Sequence, residues 1–353
     1  MTDKTYLTAK NGERGVCTRE NLRVLCALRG KILRFVSQSG RQSHIVLLQY
    51  PVAPKQKRIN IFYSKVIMTV LNEIEKLNNY LAAWDLSNPQ FLEQTMTSRI
   101  YTVIHRNEKV ILKLLSSSEA DEQRGAFALR YFNGHGAVKL LRYDEGAQLM
   151  EYAVGDALVT LVERNEDENA TRIIAQVIKQ LHSVSQDAPY DGMVMLDCWF
   201  RTLLEKAARE KQAGITSIYT RGASLAERLL VDQQEIRALH GDIHHYNIRY
   251  SPRGWLAFDP KGVVGERTYD CANALCNPVI PELVHNETRL LKNATILADT
   301  LALELGRVLA FTYIYACLNA SWWTQLSDRE GAHDIVRWHL NVAKIIEPHI
   351  QKV

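Results

Sequence analysis

No apolar run in the 353 residues approaches the roughly 18 that a membrane-spanning helix needs, so no transmembrane anchor is expected. No short apolar core with a small-residue cleavage site follows the N-terminus, which argues against a secretory signal. Nor is there a C-x-x-C pair. The six cysteines, at 17, 26, 198, 271, 276 and 317, are scattered, as in a cytosolic chain of reduced thiols. What is present is ordinary: 46% hydrophobic and 23% charged residues, in a chain long enough for two lobes.

Positive charge is scarce in one part and concentrated in another. Residues 1–67 hold 13 Lys/Arg against three Asp/Glu, whereas 68–353 hold 30 against 36. The basic segment lacks the aromatic interleaving of a nucleic-acid arm, so no nucleic-acid partner is expected. Because Met68 opens a fresh helical pattern, residues 1–67 read as a basic leader, a mis-assigned start or a disordered stretch outside the functional fold. The expected division is 1–67, a small lobe over 68–154, and a larger lobe over 155–353.

In the small lobe, Val70, Leu71, Ile74, Leu77, Tyr80 and Leu81 fall on one helical stripe that closes at Trp84-Asp85. "SRIYTVIHR" and "EKVILKLL" then alternate as two strands of a hairpin around Asn107. Lys113 interrupts the apolar run of the second strand. Such a lysine usually snorkels to solvent. The alternative is an ammonium reaching nucleotide phosphates, oriented by a glutamate on the following helix. "SSSEADEQRGAFALRYFNGHG" supplies that helix, with serine caps, Glu122 or Glu119 as the partner, and Asn133-Gly134 as its stop. Glu122 is the preferred choice. Two more strands surround Asp144-Glu145-Gly146 and run out through "MEYAVGD", a hinge whose backbone at Glu151 and Ala153 can bond an adenine edge.

Beyond the hinge the pattern is helical. Ile173, Ile174, Val177, Ile178 and Leu181 share a stripe, 199–213 and 223–239 read likewise, and "ILADTLALELGRVLAFTYIYACLNASWW" reads as one buried helix. The exception is "LHGDIHHYNIRY", residues 239–250. One reading takes His240, His244 and His245 as zinc ligands. Gly241 speaks for a turn rather than a helix there, and no further ligand with metal spacing follows. The other reading takes Asp242, Asn247 five residues on, and Asp259 twelve further. A hairpin turning at Pro252-Arg253-Gly254 brings Asn247 beside Asp259, and two such oxygen donors suit magnesium, with phosphate oxygens and water completing its shell. Asp242 then faces a substrate hydroxyl as its base, the spacing logic of a kinase catalytic loop.

"HGDIHHYNI", "RGWLAFDPKGVVGE" and "ANAL", with "DEQRGA", "NGHGAVKLL", "LMEYA" and "YACLNASWW", resemble the aminoglycoside phosphotransferases, in the branch of the streptomycin 6-kinases and hydroxyurea kinases. The resemblance spans roughly residues 75–345. It implies an α+β, protein-kinase-like fold with a small β-rich lobe and a larger, mainly helical one. It implies transfer of the γ-phosphoryl group of ATP, with magnesium, to a hydroxyl of a cationic aminoglycoside, streptomycin first. By that match Asp242 is the base, Asn247 and Asp259 hold magnesium, and Lys113, paired with Glu122, contacts ATP. A kinase of another small molecule and an inactive nucleotide-binding relative are the alternatives. Two departures stand out. Tyr246 occupies a position where relatives often carry a carboxylate. No glycine-rich phosphate loop is present, so "TMTSRIYT" has to cover the phosphates. Asp270 and His240 read as braces of the loop, Cys271 and Cys276 as packing, and Lys261 and Glu266 as either pocket residues or solvated ones.

Overall fold

The computed structural model describes residues 5–8, 14–17, 44–45, 72–116, 120–184 and 190–350. The chain divides into two compact units, Met1–Lys76 and Leu77–Val353. In the first, β1 (Thr5–Thr8) pairs antiparallel with β2 (Arg14–Cys17) and parallel with β3 (His44–Ile45). The rest of the basic segment, Met68 to Leu71, and Ser117 to Glu119 lie outside the described residues.

The second unit opens on the end of a helix over residues 72–83, which stops at Asp85, where φ is 54°. Leu77, Tyr80 and Leu81 from its stripe pack on Trp84, Leu86 and the inner face of an antiparallel sheet. That sheet has five strands: β4 (Ser87–Gln94), β5 (Ser98–His105), β6 (Glu108–Leu115), β7 (Leu140–Asp144) and β8 (Ala147–Glu151), in the order β4-β5-β6-β8-β7. The β5–β6 hairpin turns at Arg106-Asn107, with φ of 49° and 68°, the left-handed pair that a two-residue hairpin turn demands and Asn tolerates. β4 is absent from the alternation-based reading for a physical reason. It is an edge strand with seven of its eight residues exposed and Pro89 within it, so no buried face imposed a period of two.

Helix Ala120–Phe132 follows β6 and ends at Asn133-Gly134, both left-handed (φ 45° and 86°). From β8 the chain passes to Gly155, whose N–H donates to the Tyr250 carbonyl at 2.9 Å. A Cβ at Gly155 would lie 2.8 Å from that carbonyl oxygen, so only glycine allows this contact. The region beyond is helical. Asp167–Leu181, Arg201–Gln212, Ile218–Val231, Glu287–Leu301, Leu305–Gln325 and Ala332–Ile346 enclose one continuous core. Among the described residues, no helix is long and apolar enough to cross a membrane.

Two expectations need correction. Residues 223–239 are not one helix: Ile218–Val231 starts earlier, on the Ser217–Thr220 capping box, and β10 (Ile236–Leu239) follows. β10 pairs with β13 (Val263–Glu266), a partner some 25 residues away that local periodicity cannot reveal, and β13 pairs parallel with β9 (Val194–Met195). The apolar stretch 296–323 likewise breaks at Ala302, whose φ is 52°, leaving the end of one helix and most of Leu305–Gln325. Only the latter is buried almost all round.

A short hairpin, β11 (Ile248–Ser251) and β12 (Gly254–Ala257), reaches from the helical region to the sheet. At its tip Arg253 donates to both Glu151 carboxylate oxygens, at 2.9 and 2.5 Å, and to the carbonyls of Gly134 and Ala137. Arg253→Ala is expected to cost about 1–3 kcal/mol, since the fork is lost and the carbonyls of buried Gly134 and Ala137 lose their donor. The check is a lower urea midpoint at unchanged slope.

Candidate functional site

β10 delivers the chain into the loop 240–247, and one buried carboxylate holds that loop. Asp270, 2% exposed, accepts from the backbone N–H of His240 at 3.0 Å and of Gly241 at 2.8 Å. His182 Nε2 lies 2.9 Å from the same carboxylate. Gly241, at φ 77°, makes the turn. Asp270 is thus a brace, as expected.

The three histidines do not converge on a metal. His240 is fully buried; its Nε2 faces the Phe258 carbonyl at 3.1 Å and its Nδ1 accepts from the Asp242 N–H at 3.2 Å. Those partners fix the neutral Nε2–H tautomer, and burial lowers its pKa. His244 Nδ1 accepts from the Tyr246 N–H. Burial pushes His245 down to about 3, so its ring is neutral. Among the described residues no group of three or more His, Cys, Asp or Glu is placed to hold a metal ion. Cys271 and Cys276 are fully buried packing residues, their thiols raised by desolvation.

Asp242 stands on this braced loop with its carboxylate about one quarter exposed. Asn273 Nδ2 donates to its Oδ1 at 2.7 Å, and Asn277 Nδ2 in turn donates to Asn273 Oδ1 at 2.8 Å. Asn247 Nδ2 donates to the Asp242 carbonyl at 2.9 Å, which leaves its amide oxygen as the uncommitted atom. Asn273 carries no role in the sequence reading. The available signal was its place in "ANAL", three residues after Asp270.

The β11–β12 ladder continues outward, the Phe258 N–H donating to the Asn247 carbonyl at 3.0 Å, so Asp259 stands one residue beyond Asn247's partner. Asp259 adopts φ 61°, a left-handed conformation that Asp tolerates better than most residues. Its Oδ1 meets Lys113 Nζ at 2.6 Å. Lys113 is 5% exposed and also pairs with Glu122 at 2.6 Å. Burial opposes its charge, but Asp259 and Glu122 prevail and hold its pKa above the usual lysine range. Burial likewise works against the Asp259 carboxylate, and Lys113 and Lys261 hold it well below the usual range. Lys113, Glu122 and Asp259 are therefore brought together. Glu119, the other candidate partner, lies outside the described residues.

Glycine makes this approach possible. A Cβ at Gly125 would lie 2.4 Å from the Pro260 carbonyl oxygen, and one at Gly262 would lie 2.4 Å from that of Arg124. Helix Ala120–Phe132 thus lies directly against the segment after Asp259.

Four other candidates take definite places. Lys261 Nζ is 3.1 Å from Asp259 Oδ2 and 3.6 Å from Asp242 Oδ2. Glu266 is 1% exposed and bonded to Arg307 and the Gln234 N–H, so it serves the core and not a pocket. At the hinge, Arg253 and the Lys139 N–H occupy the Glu151 carboxylate and the Glu151 N–H donates to the Lys139 carbonyl at 2.9 Å, leaving only its backbone carbonyl for a ligand; Ala153 is buried beside it. The β4–β5 turn holds a contact the sequence did not suggest: Thr97 Oγ1 donates to Glu122 at 2.5 Å.

A model of the aminoglycoside/hydroxyurea antibiotic resistance kinase family matches residues 83–327. The chain is 32% identical to a streptomycin 3''-kinase of Klebsiella pneumoniae over 245 residues, which is 68% of this chain and 89% of that one. It is 26% identical to a streptomycin 6-kinase of Streptomyces griseus, over 68% of this chain and 79% of the other. Among solved structures, a thermostable mutant of aminoglycoside phosphotransferase APH(4)-Ia, in complex with ADP and hygromycin B, superposes with a TM-score of 0.54. That match covers 76% of this chain and 97% of that one at 14% identity, and so speaks to the fold.

Proposed function

Because the chain belongs to the aminoglycoside/hydroxyurea antibiotic resistance kinase family, we propose that it carries the γ-phosphoryl group of ATP to a hydroxyl of streptomycin. It is a small-molecule phosphotransferase with a protein-kinase-like fold; the substrate pair is the finer reading. One observation supports it above the rest. Lys113, buried in a strand, bridges Glu122 and Asp259 at 2.6 Å each, with Asp242 next to the same cluster through Lys261. With magnesium on its carboxylates such an array would position and neutralise phosphate, which is most of what phosphoryl transfer asks of a protein.

In this reading Lys113, held by Glu122, contacts the phosphates of ATP, and the hinge backbone at Glu151 and Ala153 takes the adenine edge. Asp242, steadied by Asn273 and Asn247, orients the acceptor hydroxyl and accepts its proton. The Asp259 carboxylate and the free amide oxygen of Asn247 are hard oxygen donors and fit magnesium, which would neutralise phosphate charge when bound. An acidic balance over 68–353, 36 Asp/Glu against 30 Lys/Arg, suits a polycationic acceptor. The same reading places the enzyme in the cytoplasm, where ATP is. The sequence-based expectation is the 6-hydroxyl; the higher identity to a 3''-kinase favours the 3''-hydroxyl as a second reading.

The test is ADP release from Mg-ATP with streptomycin, hydroxyurea or no acceptor. Streptomycin-dependent release is expected, and the phosphate position in the product, read by NMR, chooses between the two hydroxyls. Nucleotide binding without streptomycin turnover would refute the substrate and keep the kinase.

A further inference from the structure

We propose that Lys261 is a catalytic residue, its ammonium meeting the phosphoryl group in transit between ATP and the acceptor hydroxyl. The inference rests on the kinase reading above and adds a role to it.

Position is the first argument. Lys261 Nζ lies 3.1 Å from Asp259 Oδ2 and 3.6 Å from Asp242 Oδ2. It therefore stands between the carboxylate assigned to the phosphate side and the one assigned to the hydroxyl side. A group passing from one side to the other has to cross the space this ammonium serves. Lys113 cannot do the same, because Glu122 and Asp259 Oδ1 hold it at the sheet.

The second argument is rigidity. The Lys261 N–H donates to the His240 carbonyl at 2.7 Å. A Cβ on Gly241 would lie 3.4 Å from Lys261 Cβ and 2.8 Å from Val263 Cγ2, so the two segments touch backbone to side chain. Lys261 and Asp242 are thus fixed to one braced frame, held by the same Asp270 carboxylate through His240 and Gly241. An ammonium on such a frame needs little reorganisation when charge develops beside it.

The third argument is what the β4–β5 turn does not offer. It contains no glycine, and its amides at Thr97 and Ser98 already donate to Thr95 Oγ1, at 3.3 and 3.0 Å. The Thr97 hydroxyl donates to Glu122. These donors are committed within the protein, so what magnesium would leave of the negative charge of a transferring phosphoryl group falls to side-chain cations. Among the described residues, Lys261 is the cation so placed toward Asp242.

In the step itself, the acceptor oxygen forms a bond to Pγ while the bond from Pγ to the bridging oxygen breaks. That electron pair leaves with ADP. The hydroxyl proton passes to the Asp242 carboxylate. Lys261 keeps its protons and supplies positive charge to the peripheral oxygens of the phosphoryl group, a role stronger in the transition state than in the ground state.

The test compares the wild type with Lys261→Met and Lys261→Arg in three measurements. These are kcat, Mg-ADP affinity, and retention of ADP with magnesium and aluminium fluoride, which mimics the phosphoryl group in flight. Lys261→Met is expected to lose about 10²–10³ in kcat and the same factor in aluminium fluoride retention, with Mg-ADP affinity unchanged within about threefold. Lys261→Arg keeps the charge in a different shape and should recover about a tenth of the activity. Equal loss of Mg-ADP affinity would make Lys261 a nucleotide anchor and overturn the proposal; so would a variant with wild-type retention. If Lys261→Met does not fold, the arginine variant decides, because it should lose about tenfold in both kcat and retention and nothing in Mg-ADP affinity. A wild type that binds no Mg-nucleotide would overturn the kinase reading, and this inference with it.

Discussion

Asp242→Asn is expected to lower kcat by about 10²–10⁴ while leaving Mg-nucleotide affinity within a few-fold of wild type. The change removes the proton acceptor and little else. Asn273 Nδ2 donates to Asp242 Oδ1 at 2.7 Å, and an amide oxygen at that position accepts the same bond. The new NH2 then falls where Oδ2 was, 3.4 Å from Asn247 Nδ2 and 3.6 Å from the Lys261 ammonium, the two longer of the three side-chain contacts. The loop keeps its anchors, because Asp270 holds the His240 and Gly241 amides independently. Steady-state kinetics on the active acceptor, with calorimetry for Mg-ADP, separates the two effects. A fall in kcat below tenfold would show that Asp242 is not the base; a parallel collapse of nucleotide binding would show that the substitution disturbed the loop.

Much of this site was legible in sequence, because each main candidate sits on an element with a local signature. Lys113 lies in an alternating strand, Glu122 on a helix stopped by Asn133-Gly134, and Asn247 and Asp259 flank a hairpin that turns at Pro252-Arg253, with Gly254 opening its second strand. What was not legible depends on closure over distance. His182 reaches Asp270 across 88 residues, Asn273 reaches Asp242 across 31, and Thr97 reaches Glu122 across 25. No period or spacing encodes such pairs. Lys261 shows the boundary well: its sequence neighbourhood gave even weight to pocket and solvent, and only the fold of the 259–263 segment onto the 240–242 loop decides between them. Glu266, given the same weight, went the other way, into a buried pair with Arg307. The 223–239 misreading has the same origin, since β10 becomes a strand only by pairing with β13.

Asp270→Ala is expected to be among the most destabilising single substitutions in the catalytic region, at about 3–5 kcal/mol. The carboxylate is 2% exposed and accepts from two backbone N–H groups, with a third contact to the His182 ring. Alanine leaves those two amides buried without a partner, at about 1–3 kcal/mol each, and withdraws the anion facing His182. Against a total stability of about 5–15 kcal/mol this is a large fraction. Activity should fall further than the folded fraction does, because the freed residues are the two that precede Asp242. Asp270→Asn is the milder comparison: its oxygen still accepts one bond, while its NH2 opposes a second donor. Urea unfolding measures the first effect as a lower midpoint, and kcat per folded molecule, taken well below that midpoint, measures the second. If Asp270→Ala costs less than about 1 kcal/mol and retains kcat, the loop is held by the His240–Phe258 and Lys261–His240 bonds alone, and the bracing role assigned to Asp270 is wrong.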